Sequence, residues 1–275
     1  MWQEDLTGRL SEALGHADLV LVPAPAGREE DWAAVLPGSP DGAAHRAAAH
    51  QAAAKQIADG HLADPEVVAR VRSEGSRVQF TLTTAARGQV VADILTGRSP
   101  HPGQVAGVHR RAARAAAAMP GAGRGLRPPP DRLYPARLAH ARTAMLLRQA
   151  LAHRVLPADA EPRATVVRTW QDRGSGRTED GRSRRLLLAL AGSNVARTRA
   201  AAQGREAPVV ANLREVTAAF ADWFAHMRAT PRGSAPPAPG PIMESYQLNL
   251  ALALATGSVL AAGLGDLGLT APEYL

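Results

Sequence analysis

Cysteine is absent from the 275 residues, which excludes disulfide bonds, thiolate zinc centres and a cysteine nucleophile. Lysine is nearly absent as well: of the 32 Lys and Arg residues only Lys55 is a lysine. No lysine follows Lys55, so no lysine loop can serve a nucleotide site in the rest of the chain. Long hydrophobic runs are missing too, since no uninterrupted apolar stretch reaches the roughly 20 residues that span a bilayer. The N-terminal MWQEDLTGRL carries acids and lacks the apolar core of a signal peptide. A cytoplasmic location is expected on these grounds. The most membrane-like segment, residues 248–264, is broken by Asn249, Thr256, Gly257, Ser258 and Gly263, and it is predicted to be a buried bundle helix. HExxH, GK[ST] and GxSxG are absent, and the acids are dispersed instead of paired. Catalytic, cofactor and metal residues are therefore all expected to number none.

What is present is a chain with length and apolar content for one large domain or two modest ones. Its net charge is +7, which favours a polyanionic partner such as nucleic acid. A base composition that replaces Lys by Arg and fills neutral positions with Ala explains the same excess equally well.

Along the chain, residues 5–14 are predicted as a short helix, 18–23 (DLVLVP) as a buried strand, and the Ala-rich 41–58 as a helix ended by Gly60. Residues 65–71 fit a strand or a helix. RVQFTLT, 77–83, sets Val78, Phe80 and Leu82 on one face, the period of a half-buried strand. A helix over 85–95 closes the region. Residues 96–130 are rich in Gly, Pro and Arg, with a short helix at 105–118, and mark the domain boundary. GAGRG within them neither follows a strand nor opens a helix, and so lacks the context of a phosphate cradle. Arg110, Arg111, Arg114, Arg124 and Arg127 suit either phosphate contact or a solvated linker.

Residues 133–149, LYPARLAHARTAMLLRQ, form the first helix of the C-terminal half. Asp131 is its expected N-cap and Pro135 falls in its first turn. Tyr134, Leu138, Arg142 and Met145 share one stripe; Leu133, Ala136, His140, Ala144, Leu147 and Leu151 share another, expected to be mostly core. A polar loop is predicted to run from Arg154 to Arg184. Three more helices follow, over 185–202, 209–228 and 243–264, the last two separated by PPAPGP. Helices of this length with short connections imply a bundle.

LAHAR at 138–142 resembles the YAHAR box of the DALR anticodon-binding domain of arginyl-tRNA synthetases. VVANLREVTAAFADWFAHMR resembles a later helix of that domain, with Glu215, Phe220, Trp223, Phe224, Met227 and Arg228 at matching places. ATGSVLAAGLGDLGLTAPEYL resembles its ending, holding Ala255, Thr256, Val259, Leu260, Gly263, Leu264, Leu267, Gly268, Ala271, Pro272 and Glu273. DPEVVARVRSEGSRVQFTLTTAARGQVVADIL is similar in order and texture to the family's N-terminal additional domain.

The resemblance implies a mainly α protein: a small N-terminal α/β domain (1–98), a linker (99–130) and an antiparallel DALR-type helical bundle (131–275). It implies tRNA as partner, read by Leu138, Arg142, Phe224 and Leu275, with Tyr134 beside them. Of the four, Arg142 alone keeps the family's residue. Phe224 still offers a stacking face, while Leu138 and Leu275 lack the family's Tyr and Met. Core or subunit packing is the alternative role for Leu138, Phe224 and Leu275, and His140 is expected to pack and cap a neighbour. The catalytic domain of the synthetases has no counterpart. HPGQ at 101–104 departs from their H-x-G-H box, and the linker is too short for a nucleotide-binding fold. The expectation is a tRNA-binding protein that does not aminoacylate alone. The alternatives are a regulatory or protein-interaction paralogue, joined to a synthetase or biosynthetic enzyme, or a subunit completed by a separate catalytic chain.

Overall fold

The computed structural model describes residues 20–23, 32–35, 67–74, 77–97, 132–156, 162–173, 180–231 and 239–274. The helices expected at 5–14, 41–58 and 105–118 and the linker at 99–130 lie outside the described residues. The chain divides into two compact units, Met1–Gln89 and Val90–Leu275.

The first unit holds β1 (Val20–Pro23), β2 (Trp32–Val35), β3 (Val68–Glu74) and β4 (Arg77–Leu82). They form one antiparallel sheet in the order β1-β2-β4-β3. Trp32 pairs with Phe80, and Phe80 with Val71 on the other side. The strand-or-helix choice at 65–71 resolves as β3, which bulges between Val68 and Arg70. Val78, Phe80 and Leu82 are buried, as their alternation predicts. Gln79 is buried as well, so β4 is more enclosed than a half-buried strand. Strand β2 is not foreseen by the sequence, because Ala33 and Ala34 give it no alternation. Helix α1 (Thr84–Leu95) follows, capped by the Thr83 hydroxyl, which accepts the Ala86 amide at 3.1 Å. The division between units falls within α1, whose Val91, Ala92 and Leu95 join the apolar core of the second unit.

The second unit contains α2 (Tyr134–Ala152), α3 (Pro162–Arg173), α4 (Gly181–Gln203), α5 (Ala207–His226) and α6 (Pro241–Asp266). Helix α6 packs against each of the other four. By length and composition it would cross a membrane, yet 78% of its most apolar window is buried inside the structure, which suits a core helix. Helix α4 begins at Asp180, whose carboxylate accepts the Ser183 amide at 2.9 Å. It ends at Gly204, held at φ +61°, where the chain turns directly into α5.

Three expectations need correction. The polar loop from Arg154 to Arg184 contains α3, whose Val166 and Trp170 are one turn apart and buried in the core. The N-cap of α2 is Leu133, with no side-chain cap bond, and not Asp131, which is outside the described residues. Pro135 does lie in the first turn. The stripe expected to be core is only partly buried, with Leu133 and Ala136 buried and Leu147 packed against the core; the buried face of α2 runs on through Ala139, Ala141, Thr143, Leu146 and Ala150. Leu151 is exposed and Tyr134 is 50% exposed, because α2 meets its neighbours through small residues that allow close approach.

That closeness is measurable at two glycines of α6. A Cβ on Gly257 would lie 2.6 Å from Thr143 Oγ1, and one on Gly263 would lie 2.8 Å from Leu213 Cδ2. Near its end α6 is tied to α4 by Arg197 Nε and Asp266 Oδ2 at 2.6 Å, with side chains only 15% and 5% exposed.

Gly257→Val is expected to lower stability by about 1–3 kcal/mol through overpacking, and Thr143→Ala in the same chain should restore part of the loss in thermal unfolding. Asp266→Ala leaves the Arg197 cation in a mostly buried place. The expected cost is about 3–5 kcal/mol, read as a lower denaturation midpoint in urea.

Candidate nucleic-acid interface

Helices α2 and α5 lie side by side, and each contributes one polar or aromatic residue to the surface between them. Arg142 is exposed in the middle of α2; Phe224 is half-buried near the end of α5. The Arg142 guanidinium carbon stands 5.6 Å from the centre of the Phe224 ring, within cation–π range. Phe224 is backed by Phe220 at 5.7 Å, which stacks on buried Trp223 at 5.8 Å. The ring is thus a supported platform, and the cation over it has no ion-pair partner among the described residues.

Two more arginines belong to this part of the chain. Arg228 follows the extended C-cap residue Met227, just past the end of α5, and Arg214 lies about 80° around the helix from Phe224 and about 80° from Asp222 at the 100° per residue of an α-helix. Both are exposed. The opposite flank of α5 differs, since there Asp222 faces Arg182 at 3.6 Å and Arg185 at 3.9 Å.

The other expected site residues are spread along α2. Leu138 is half-buried one turn before Arg142, and Tyr134 is exposed at the first position of the helix. Leu275 lies outside the described residues. Its neighbours are held on another side of α2. His140 Nδ1 is 2.8 Å from the Pro272 carbonyl oxygen, and Arg148 donates to the Glu273 carbonyl at 3.2 Å. The Arg148 guanidinium also stands 4.2 Å from the Tyr274 ring centre. At the pitch of an α-helix, Arg148 lies roughly 120° around from Arg142 and His140 roughly 160°. The structure therefore brings Arg142 and Phe224 together and holds Tyr274 elsewhere. His140 fixes the C-terminal segment, in keeping with its expected packing role.

Sequence reading missed the Arg148–Tyr274 pair; the only signal for it was an aromatic residue next to the C-terminus. Among the described residues, no group of three or more His, Asp and Glu side chains is placed to hold a metal ion. Compared with known proteins, the chain matches no family model and no curated sequence.

His140→Ala removes the bond to Pro272, worth about 1 kcal/mol net. The last residues should then be trimmed faster by carboxypeptidase, while Arg142→Ala should leave the trimming rate unchanged.

Proposed function

We propose that this chain is a tRNA-binding protein related to arginyl-tRNA synthetases that does not aminoacylate by itself. The observation that carries the reading is Arg142 on the Phe224 ring, an exposed guanidinium without an ionic partner among the described residues. An unpaired base can stack on such a pair, and the guanidinium can meet a base edge or a phosphate. Arg214 on α5 and Arg228 just past its end are exposed cations that a phosphate backbone could meet. The ordered resemblance of LAHAR, of the α5 sequence and of the C-terminal ATGSVL…APE supports the same assignment, as does the net charge of +7.

Leu138 and its half-buried setting favour a second reading, a regulatory paralogue that binds a synthetase or biosynthetic enzyme in place of RNA. A leucine there supplies packing and no hydrogen-bonding group.

Binding to a tRNA pool, followed against salt concentration, separates the two. RNA binding predicts a logarithmic slope of close to one unit per phosphate contact. Arg142→Ala should weaken binding by roughly tenfold, on the scale of an interface anchor. An affinity that is absent at low salt, or flat as salt rises, would sink the RNA reading.

A further inference from the structure

Past Phe224, the end of α5 and the start of α6 flank an open, shallow groove of about 350 Å³, a volume within the range of small-ligand sites. Met227 and Arg228 form one wall; Ile242, Ser245, Tyr246 and Asn249 form the other. The four α6 residues follow the i, i+3, i+4, i+7 spacing of a single helix face, so the wall is continuous. Arg142 is not among the lining residues.

The groove carries three kinds of recognition chemistry. Asn249 is 4% exposed, and its Nδ2 donates to the Arg228 carbonyl at 2.6 Å. That bond fixes which end of the carboxamide is which, and it leaves Oδ1 buried without a hydrogen-bond partner. A buried acceptor of this kind calls for a donor. Tyr246 and Met227, both half-buried, give an apolar and aromatic surface. The third element is positive. Arg228 is exposed with no ion pair among the described residues, and α6 begins at Gly240 and Pro241 without a side-chain cap. The amides of Ile242 and Met243 are left free by the helix geometry and point out of its positive end. Glu244 in the same turn is held by Arg173 at 3.0 Å, which offsets its charge.

A hydrogen-bond acceptor, an aromatic wall and an anion-attracting rim occur together in one cleft. We propose that this groove binds a nucleotide whose base carries an exocyclic amino group. The base lies against Tyr246 and Met227, its amino group donates to Asn249 Oδ1, and its phosphate faces Arg228 and the first turn of α6. The nucleotide is either free or an unpaired residue of an RNA strand; the chemistry is common to both.

AMP and purine riboside 5′-monophosphate differ only in the 6-amino group, and so probe the Asn249 acceptor directly. Titration calorimetry on the full chain compares these two mononucleotides, then single-stranded hexamers of A and of purine riboside. The expected result is at least a tenfold preference for the amino-bearing member of a pair, since a C–H would face Oδ1 with no donor to offer it. Arg228→Met and Tyr246→Leu should each reduce that binding at least tenfold. Arg228 is exposed, so its variant tests the site even if Tyr246→Leu disturbs packing; melting curves verify the fold of both. A preference seen with AMP identifies a free nucleotide as ligand, and one seen with the hexamers alone identifies RNA. Equal binding of the two bases, binding indifferent to Arg228→Met, or no binding of any of the four probes into the millimolar range overturns the inference. Arg142 does not line the groove, so Arg142→Ala and the salt titration with tRNA test the tRNA reading separately from the base preference measured here.

Discussion

The close approach of α6 to α2 and α5 is the constraint from which the helical unit follows. At Gly257 and Gly263 there is no room for even one more carbon, because Thr143 Oγ1 and Leu213 Cδ2 already occupy the space. Dispersion attraction decays steeply with separation, so helices that meet through Gly, Ala and Thr gain contact over their whole surface. Helix α6 is buried along most of its length and touches four neighbours. Its placement fixes theirs. Helices α2 and α5 are brought side by side in this way, and an arginine on one comes to lie over a phenylalanine on the other.

Several of the polar groups in this core are held by hydrogen bonds between or within helices. Thr256 donates to Leu252 O within its own helix, and Gln247 joins Val155 O to the Thr169 hydroxyl of α3. The Arg197–Asp266 pair ties the far end of α6 to α4. These bonds satisfy groups that would otherwise be costly to bury. Ser183 Oγ, Trp223 Nε1 and Arg197 Nη2 are buried without a hydrogen-bond partner among the described residues, and Asn249 Oδ1 differs from them in belonging to a residue that lines a cleft. An incompletely satisfied buried group beside a cleft is where a ligand has something to contribute.

Much of the architecture was legible in the chain. Strand β4 followed from the alternation of Val78, Phe80 and Leu82, and α4, α5 and α6 from long apolar periodicity; each lies within a few residues of its expected span. Strand β2 and helix α3 were not legible, for a common reason. In β2 two alanines erase the alternation, and in α3 two core residues, Val166 and Trp170, stand among polar ones next to a very hydrophilic stretch. Signals averaged over a window are diluted by such neighbours. The face of α2 misled for the opposite reason, because bulky Tyr134 and Leu151 outrank alanine on any hydrophobic scale and yet face outwards.

The sequence by itself determined which chemistry was available and where helical and strand periods run: no thiols, one lysine, arginine as the working cation, and an apolar C-terminal helix interrupted by glycine. Those properties are local to the chain, and a period of 2 or 3.6 residues is written in neighbouring letters. Only the tertiary structure decided that Arg142 rests on Phe224, that His140 holds Pro272 across 132 residues of sequence, and that Asn249 keeps an unused acceptor at a cleft. Such pairings depend on how helices dock, and the docking is set by the small residues that carry the weakest signal in the sequence.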